Sequence, residues 1–128
     1  MRSSSRLPSL FRRSLVLTAL ALVGCGGAAT GTTCPTNSTV TAENFGNDYM
    51  TRYCTRCHAT SVKGSARQGA PSDANFDTLE AIRKDAQEID QWSGAGPNAE
   101  NTSMPPNAPA PTTAERQKLS EWLACGAP

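Results

Sequence analysis

The sequence predicts an all-α fold. Three segments place apolar residues three and four positions apart, two of them carry helix start or stop residues, and no stretch alternates apolar and polar residues as a strand would. The chain has 128 residues, room for one domain. These segments put that domain at residues 40–128.

Thr41 is the predicted N-cap of the first helix. Val40 precedes it and Phe45 sits at the fourth helical position, the arrangement of a hydrophobic staple. Phe45, Tyr49 and Tyr53 then recur every four residues, an aromatic stripe that should pack against another helix and that leads straight into Cys54. A second helix is predicted from Asn75 or Asp77 to Gln91, with Leu79, Ile82, Ala86 and Ile89 on its buried side and a solvated charged face opposite. The third helix has the clearest ends: Thr112 and Glu115 form a capping box, Leu119, Trp122 and Leu123 supply the apolar face, and Gly126 stands where a left-handed residue is wanted. Between the second and third helices runs a loop rich in Gly, Pro and Asn, residues 93–111.

The N-terminus lies outside this domain. Arg2, Arg6, Arg12 and Arg13 form a basic region before an apolar run, 14–23, that is too short to span a bilayer as a helix. That is the pattern of a secretory signal, and nothing around Arg12-Arg13 supports twin-arginine export. The run ends in Leu22-Val23-Gly24-Cys25, which resembles the lipobox of bacterial lipoproteins, where cleavage precedes a cysteine that carries lipid. Residues 1–24 are therefore expected to be a lipoprotein signal peptide, Cys25 the lipidation site, and 25–39 a flexible tether. Its small, polar stretch 26–33 has a reach of about 15 Å. Removing 1–24 takes away four arginines and no acid, leaving eight basic against eleven acidic side chains. No basic nucleic-acid footprint remains.

Residues 54–58 read Cys54-Thr55-Arg56-Cys57-His58. C-x-x-C-H is the attachment signature of c-type haem: within one short turn two sulfurs can bond the two vinyl groups on a porphyrin edge, and the adjacent imidazole falls under the iron. Other uses of C-x-x-C fit less well. A thioredoxin-like site belongs in a βαβ pattern, which is missing here; a zinc site needs four ligands and would draw on Cys34 or Cys125 beside Cys54, Cys57 and His58; a plain dithiol or disulfide is the third alternative.

Five cysteines then divide into Cys25 for lipid, Cys54 and Cys57 for haem, and a remaining pair, Cys34 and Cys125, in an oxidising exported setting. That pair is predicted to form a disulfide, unpaired thiols being the alternative. The bridge is worth about 4–5 kcal/mol in the chain-entropy model.

His58 is the only histidine, so one molecule cannot supply two imidazoles to an iron. Met1 leaves with the signal and Met50 lies one turn before Cys54, on the wrong side of a porphyrin. Met104, 46 residues after His58 and followed by Pro105 and Pro106, is the expected sixth ligand. Lys63, Lys84, Lys118, water or an open site are the alternatives.

With these residues in place, the chain resembles a class I cytochrome c, specifically a small monohaem bacterial lipoprotein form, over about residues 40–126. The resemblance implies a cytochrome c fold of about three main helices around one covalently attached haem, with the first and last helices crossing through Phe45 and Tyr49 against Leu119 and Trp122. It also implies that a proline carbonyl, at Pro71 here, accepts the other ring N–H of His58. Trp92 is similar to an indole that hydrogen-bonds a haem propionate in the family, or is a plain core residue. The lysine-rich docking face of longer members is missing.

The expected function is that of an exported, membrane-tethered electron carrier, not an enzyme, with one haem c held by Cys54 and Cys57 and ligated by His58 and Met104. Expected partners are redox proteins, donor and acceptor unnamed, and a membrane reached through the lipid on Cys25; the protein should be a monomer that binds no nucleic acid. Gly26 after Cys25 lacks the aspartate-type retention signal, so the anchor is expected in the outer membrane, facing the periplasm or the exterior. Two other classes stay open: a haem-based gas sensor or weak peroxidase with a labile sixth site, and a haem-free lipoprotein interaction module stabilised by zinc or a disulfide.

Overall fold

A computed structural model of the protein describes residues 31–99 and 103–128. The expected signal peptide and the lipidated Cys25 lie outside the described residues. Among the described residues the architecture is all-α, without strands.

Thr41 and Asn44 open the first helical segment reciprocally: Thr41 Oγ1 accepts the Asn44 N–H at 3.3 Å, and Asn44 Oδ1 accepts the Thr41 N–H at 2.9 Å. Two wide turns, Ala42–Gly46 and Met50–Cys54, flank a single α-helical turn, α1 (Asn47–Tyr49). In the wide turns amides reach back five residues, as from Thr55 N–H to Met50 O at 2.9 Å. The aromatic stripe survives this widening, with ring centroids 5.3 Å apart for Phe45 and Tyr49 and 5.0 Å for Tyr49 and Tyr53.

The expected second helix is two. Thr78, not Asn75 or Asp77, caps α2 (Leu79–Lys84), and the chain breaks at Asp85 before α3 (Ala86–Ser93). The break lets each piece meet a different partner. Arg83 of α2 donates to Gly126 O and Ala127 O at 2.9–3.2 Å, while Ile89 and Asp90 of α3 turn into the core. Asp77 is diverted to the preceding turn, where its carboxylate accepts the Thr60 N–H at 2.7 Å.

The last helix, α4 (Thr113–Ala124), has the predicted ends. Thr112 and Glu115 form the capping box, and Gly126 (φ +85°) closes the helix: its N–H reaches Leu123 O and that of Ala127 reaches Trp122 O, the paired bonds of a Schellman motif.

Tyr49, Leu119 and Trp122 are fully buried at the centre. Phe45 meets Trp122 edge-on at 6.4 Å, and Gly46 lies so close to the indole that a Cβ there would overlap it. Here glycine is required by the approach of backbone to ring. The predicted Cys34–Cys125 disulfide is present, with Cα atoms 4.7 Å apart across 91 positions. A second buried link runs between α3 and α4, where Ser120 donates to Asp90 at 2.5 Å and accepts the Ala95 N–H at 2.8 Å. It fixes the point at which the chain leaves α3 for the long loop. Among the described residues, no helix is long and apolar enough to cross a membrane.

Candidate functional site

The first helical segment ends at Cys54, and a tight turn follows. The N–H groups of Cys57 and His58 both return to Cys54 O, at 3.1 and 2.9 Å. Cys54, Cys57 and His58 thereby line a cavity of about 380 Å³, within the range of small-molecule and cofactor sites. Pro71, Trp92 and Met104 line the same cavity, so the sequence-predicted cofactor residues converge on one site. The rest of the wall is largely apolar, with Tyr53, Phe76, Ile89, Pro105 and Pro106 among it. Trp92 is exposed at the cavity edge, not a core residue.

His58 is held from three directions. Its ring stacks on Phe76 with centroids 4.7 Å apart and planes 15° from parallel, and its carbonyl accepts the Phe76 N–H at 2.8 Å. Its Nδ1 lies 3.0 Å from Ala74 O. A carbonyl only accepts, so Nδ1 carries the proton and Nε2 keeps its lone pair. Burial lowers the imidazole pKa, which the Ala74 bond opposes and the Arg67 charge reinforces. The neutral form is thus favoured.

The accepting carbonyl is Ala74, three residues beyond the expected Pro71. The Pro71 carbonyl is engaged instead by Arg67 Nη2. Arg67, which the sequence reading missed, is buried and donates to Ala59 O, Val62 O, Ala70 O, Pro71 O, Ala74 O and Asn75 Oδ1. Among the described residues these six acceptors are all uncharged. The only hint in the sequence is the lack of any acid between Asp48 and Asp73.

The two thiols beside His58 are free, in contrast to Cys34 and Cys125. Burial pushes the Cys54 thiol up to about 12, so it is a neutral apolar group. Since Cys34 and Cys125 are bonded to each other, neither is available as the further thiolate of a Cys3His zinc site. Among the described residues, no group of three or more His, Cys, Asp and Glu side chains is placed to hold a metal ion.

Met104 is positioned by a second arginine that the sequence reading missed. Arg116 Nη1, from α4, donates to Met104 O at 2.9 Å and to Ser93 O at 2.8 Å, pinning the loop to the end of α3. The loop is further tied by Asn107 Nδ2 to Gln68 Oε1 at 2.8 Å and by Arg56 Nη1 to Ala108 O at 3.3 Å.

The site fits a covalently attached porphyrin on its own donor set: two free sulfurs, a ring nitrogen with its lone pair unspent, a thioether and a largely apolar enclosure. Comparison with protein-family models, curated proteins and solved structures finds no match to this chain.

Proposed function

We propose that this protein is an exported, membrane-tethered electron carrier with one covalently bound haem c, built as a small class I cytochrome c whose first and last helices cross beside the cofactor. The observation that carries this is the convergence of Cys54, Cys57, His58 and Met104 on one largely apolar cavity. Cys54 and Cys57 would form the thioethers, while His58 through Nε2 and Met104 through its sulfur would be the axial ligands.

When bound, the haem supplies a one-electron couple that methionine ligation biases toward the ferrous state. The protein's own residues fix its surroundings. Phe76 and Ala74 O hold the His58 ring in one orientation and one tautomer, and Arg116 holds the backbone of Met104. The His58 ring and the Met104 backbone are thus each tied to the protein, which would leave little to rearrange on electron transfer. Pro105, Pro106 and Ile89 give the cavity apolar lining, and exposed Trp92 marks its edge.

An optical spectrum of the exported protein is the test. A sharp ferrous c-type spectrum, together with a ferric sulfur-to-iron charge-transfer band that disappears in Met104→Ala, is expected. A high-spin ferric spectrum responding to carbon monoxide, cyanide or peroxide would instead make it a sensor or peroxidase. Protein purified without haem would overturn the assignment.

A further inference from the structure

Among the described residues Arg67 is a buried cation with no carboxylate among its six acceptors. An arginine buried on these terms is costly, because backbone carbonyls satisfy its N–H groups without cancelling its charge. One of those carbonyls is also the partner of His58: Ala74 O lies 2.9 Å from Arg67 Nη2 and 3.0 Å from His58 Nδ1. Arg67 is itself one of the residues lining the cavity.

We propose, resting on the haem assignment above, that Arg67 sets the electron affinity of the site from the His58 side. It acts by two routes with the same sign. A carbonyl already donating its electron density to a cation is a weaker acceptor, so the His58 N–H is less polarised and the ring is a poorer donor to the metal. The uncompensated charge, in a cavity wall of low dielectric, stabilises the state with one more electron. Both favour the reduced form. Arg67 is a positioning and tuning residue; it ligates nothing.

The test is spectroelectrochemical titration of the haem-loaded protein beside two variants, each first shown by its optical spectrum to keep both axial ligands. Arg67→Gln removes the charge and should shift the reduced-to-oxidised ratio at fixed potential about tenfold toward oxidised, about 59 mV for a one-electron couple. Arg67→Lys keeps the charge and should move it by less than half as much. A potential unchanged in Arg67→Gln, or equal shifts in both variants, would overturn the role of Arg67 and leave the haem assignment standing. A wild-type protein without covalent haem overturns both. Wild-type NMR of the ferrous protein is a second measurement that needs no variant to fold. Slowly exchanging Arg67 Nη and His58 Nδ1 protons, close to each other in space, are expected; Arg67 protons exchanging as fast as those of a surface arginine would overturn the shared carbonyl.

Discussion

The two walls of the cavity are built on different terms. On the His58 side, residues 54–76 wrap around Arg67, whose donors gather carbonyls from Ala59 to Ala74, and the imidazole is clamped by Phe76 and the Ala74 carbonyl. That wall carries its own framework. On the Met104 side, the loop after Ser93 is held by groups on other parts of the chain: Arg116 from α4, Gln68 and Arg56 from the 54–76 segment. His58 is therefore locked from within and Met104 fastened from outside. The difference assigns them separate failure modes: damage to the His58 wall should affect folding, whereas the Met104 wall can be unfastened one bond at a time.

The largest effect should come from a change that spares both walls. Cys34→Ser with Cys125→Ser opens a loop of 91 positions and should lower unfolding stability by about 4–5 kcal/mol in the chain-entropy model, measured by denaturant titration. The spectrum of the folded fraction should stay that of wild type. A lost methionine band in the folded double variant would show that the Met104 wall depends on the bridge after all.

Arg116→Leu should separate the walls. It strands the Met104 and Ser93 carbonyls and should cost about 1.5–3 kcal/mol, the range for hydrogen bonds to a charged donor. Its signature is local: cyanide or imidazole should displace Met104 at least tenfold more readily than in wild type, with His58 still bound. Equal ligand affinity in variant and wild type would mean that the loop needs no fastening by α4. Gly46→Ala, by contrast, forces a methyl into the Trp122 indole and should cost about 1–3 kcal/mol through the core that both walls rest on, with no preference for either ligand.

What the sequence revealed follows the same division. The ends of α4 were readable because a capping box and a Schellman glycine depend on side-chain type at fixed offsets. The C-x-x-C-H turn and the Cys34–Cys125 pair were readable for a similar reason: each residue type has few chemical uses. The break at Asp85 was not, because Leu79, Ile82, Ala86 and Ile89 keep one helical rhythm across it, and the docking of Arg83 on the carbonyls of Gly126 and Ala127 is a tertiary matter. Nor was the choice of Ala74 over Pro71 as partner of His58. Every residue carries the same carbonyl, so only the fold around Arg67 decides which one meets His58 Nδ1.

The smallest effect concerns the residue next to Arg116. Glu115 points to the other wall: it accepts from Tyr53 Oη at 3.1 Å, and Tyr53 lines the cavity beside Cys54. Its carboxyl pKa is lowered chiefly by the Thr112 N–H of the capping box, helped by the hydroxyls of Thr112 and Tyr53 and by Arg52. A folded pKa below the unfolded value near 4.5 means that the contribution is fully present above that value and is lost as pH falls through the lower folded one. Glu115→Gln should therefore cost under about 1 kcal/mol at pH 7, as for the loss of a helix cap. The gap between variant and wild type should narrow as the pH is lowered from 6 through 4.5 and below. Chemical denaturation across that range checks it, and a gap that stays constant would mean that the carboxylate charge plays no part. Because Glu115 reaches Tyr53 and not the loop, Met104 should hold as firmly against cyanide in Glu115→Gln as in wild type; adjacent positions on α4 would then act on opposite walls.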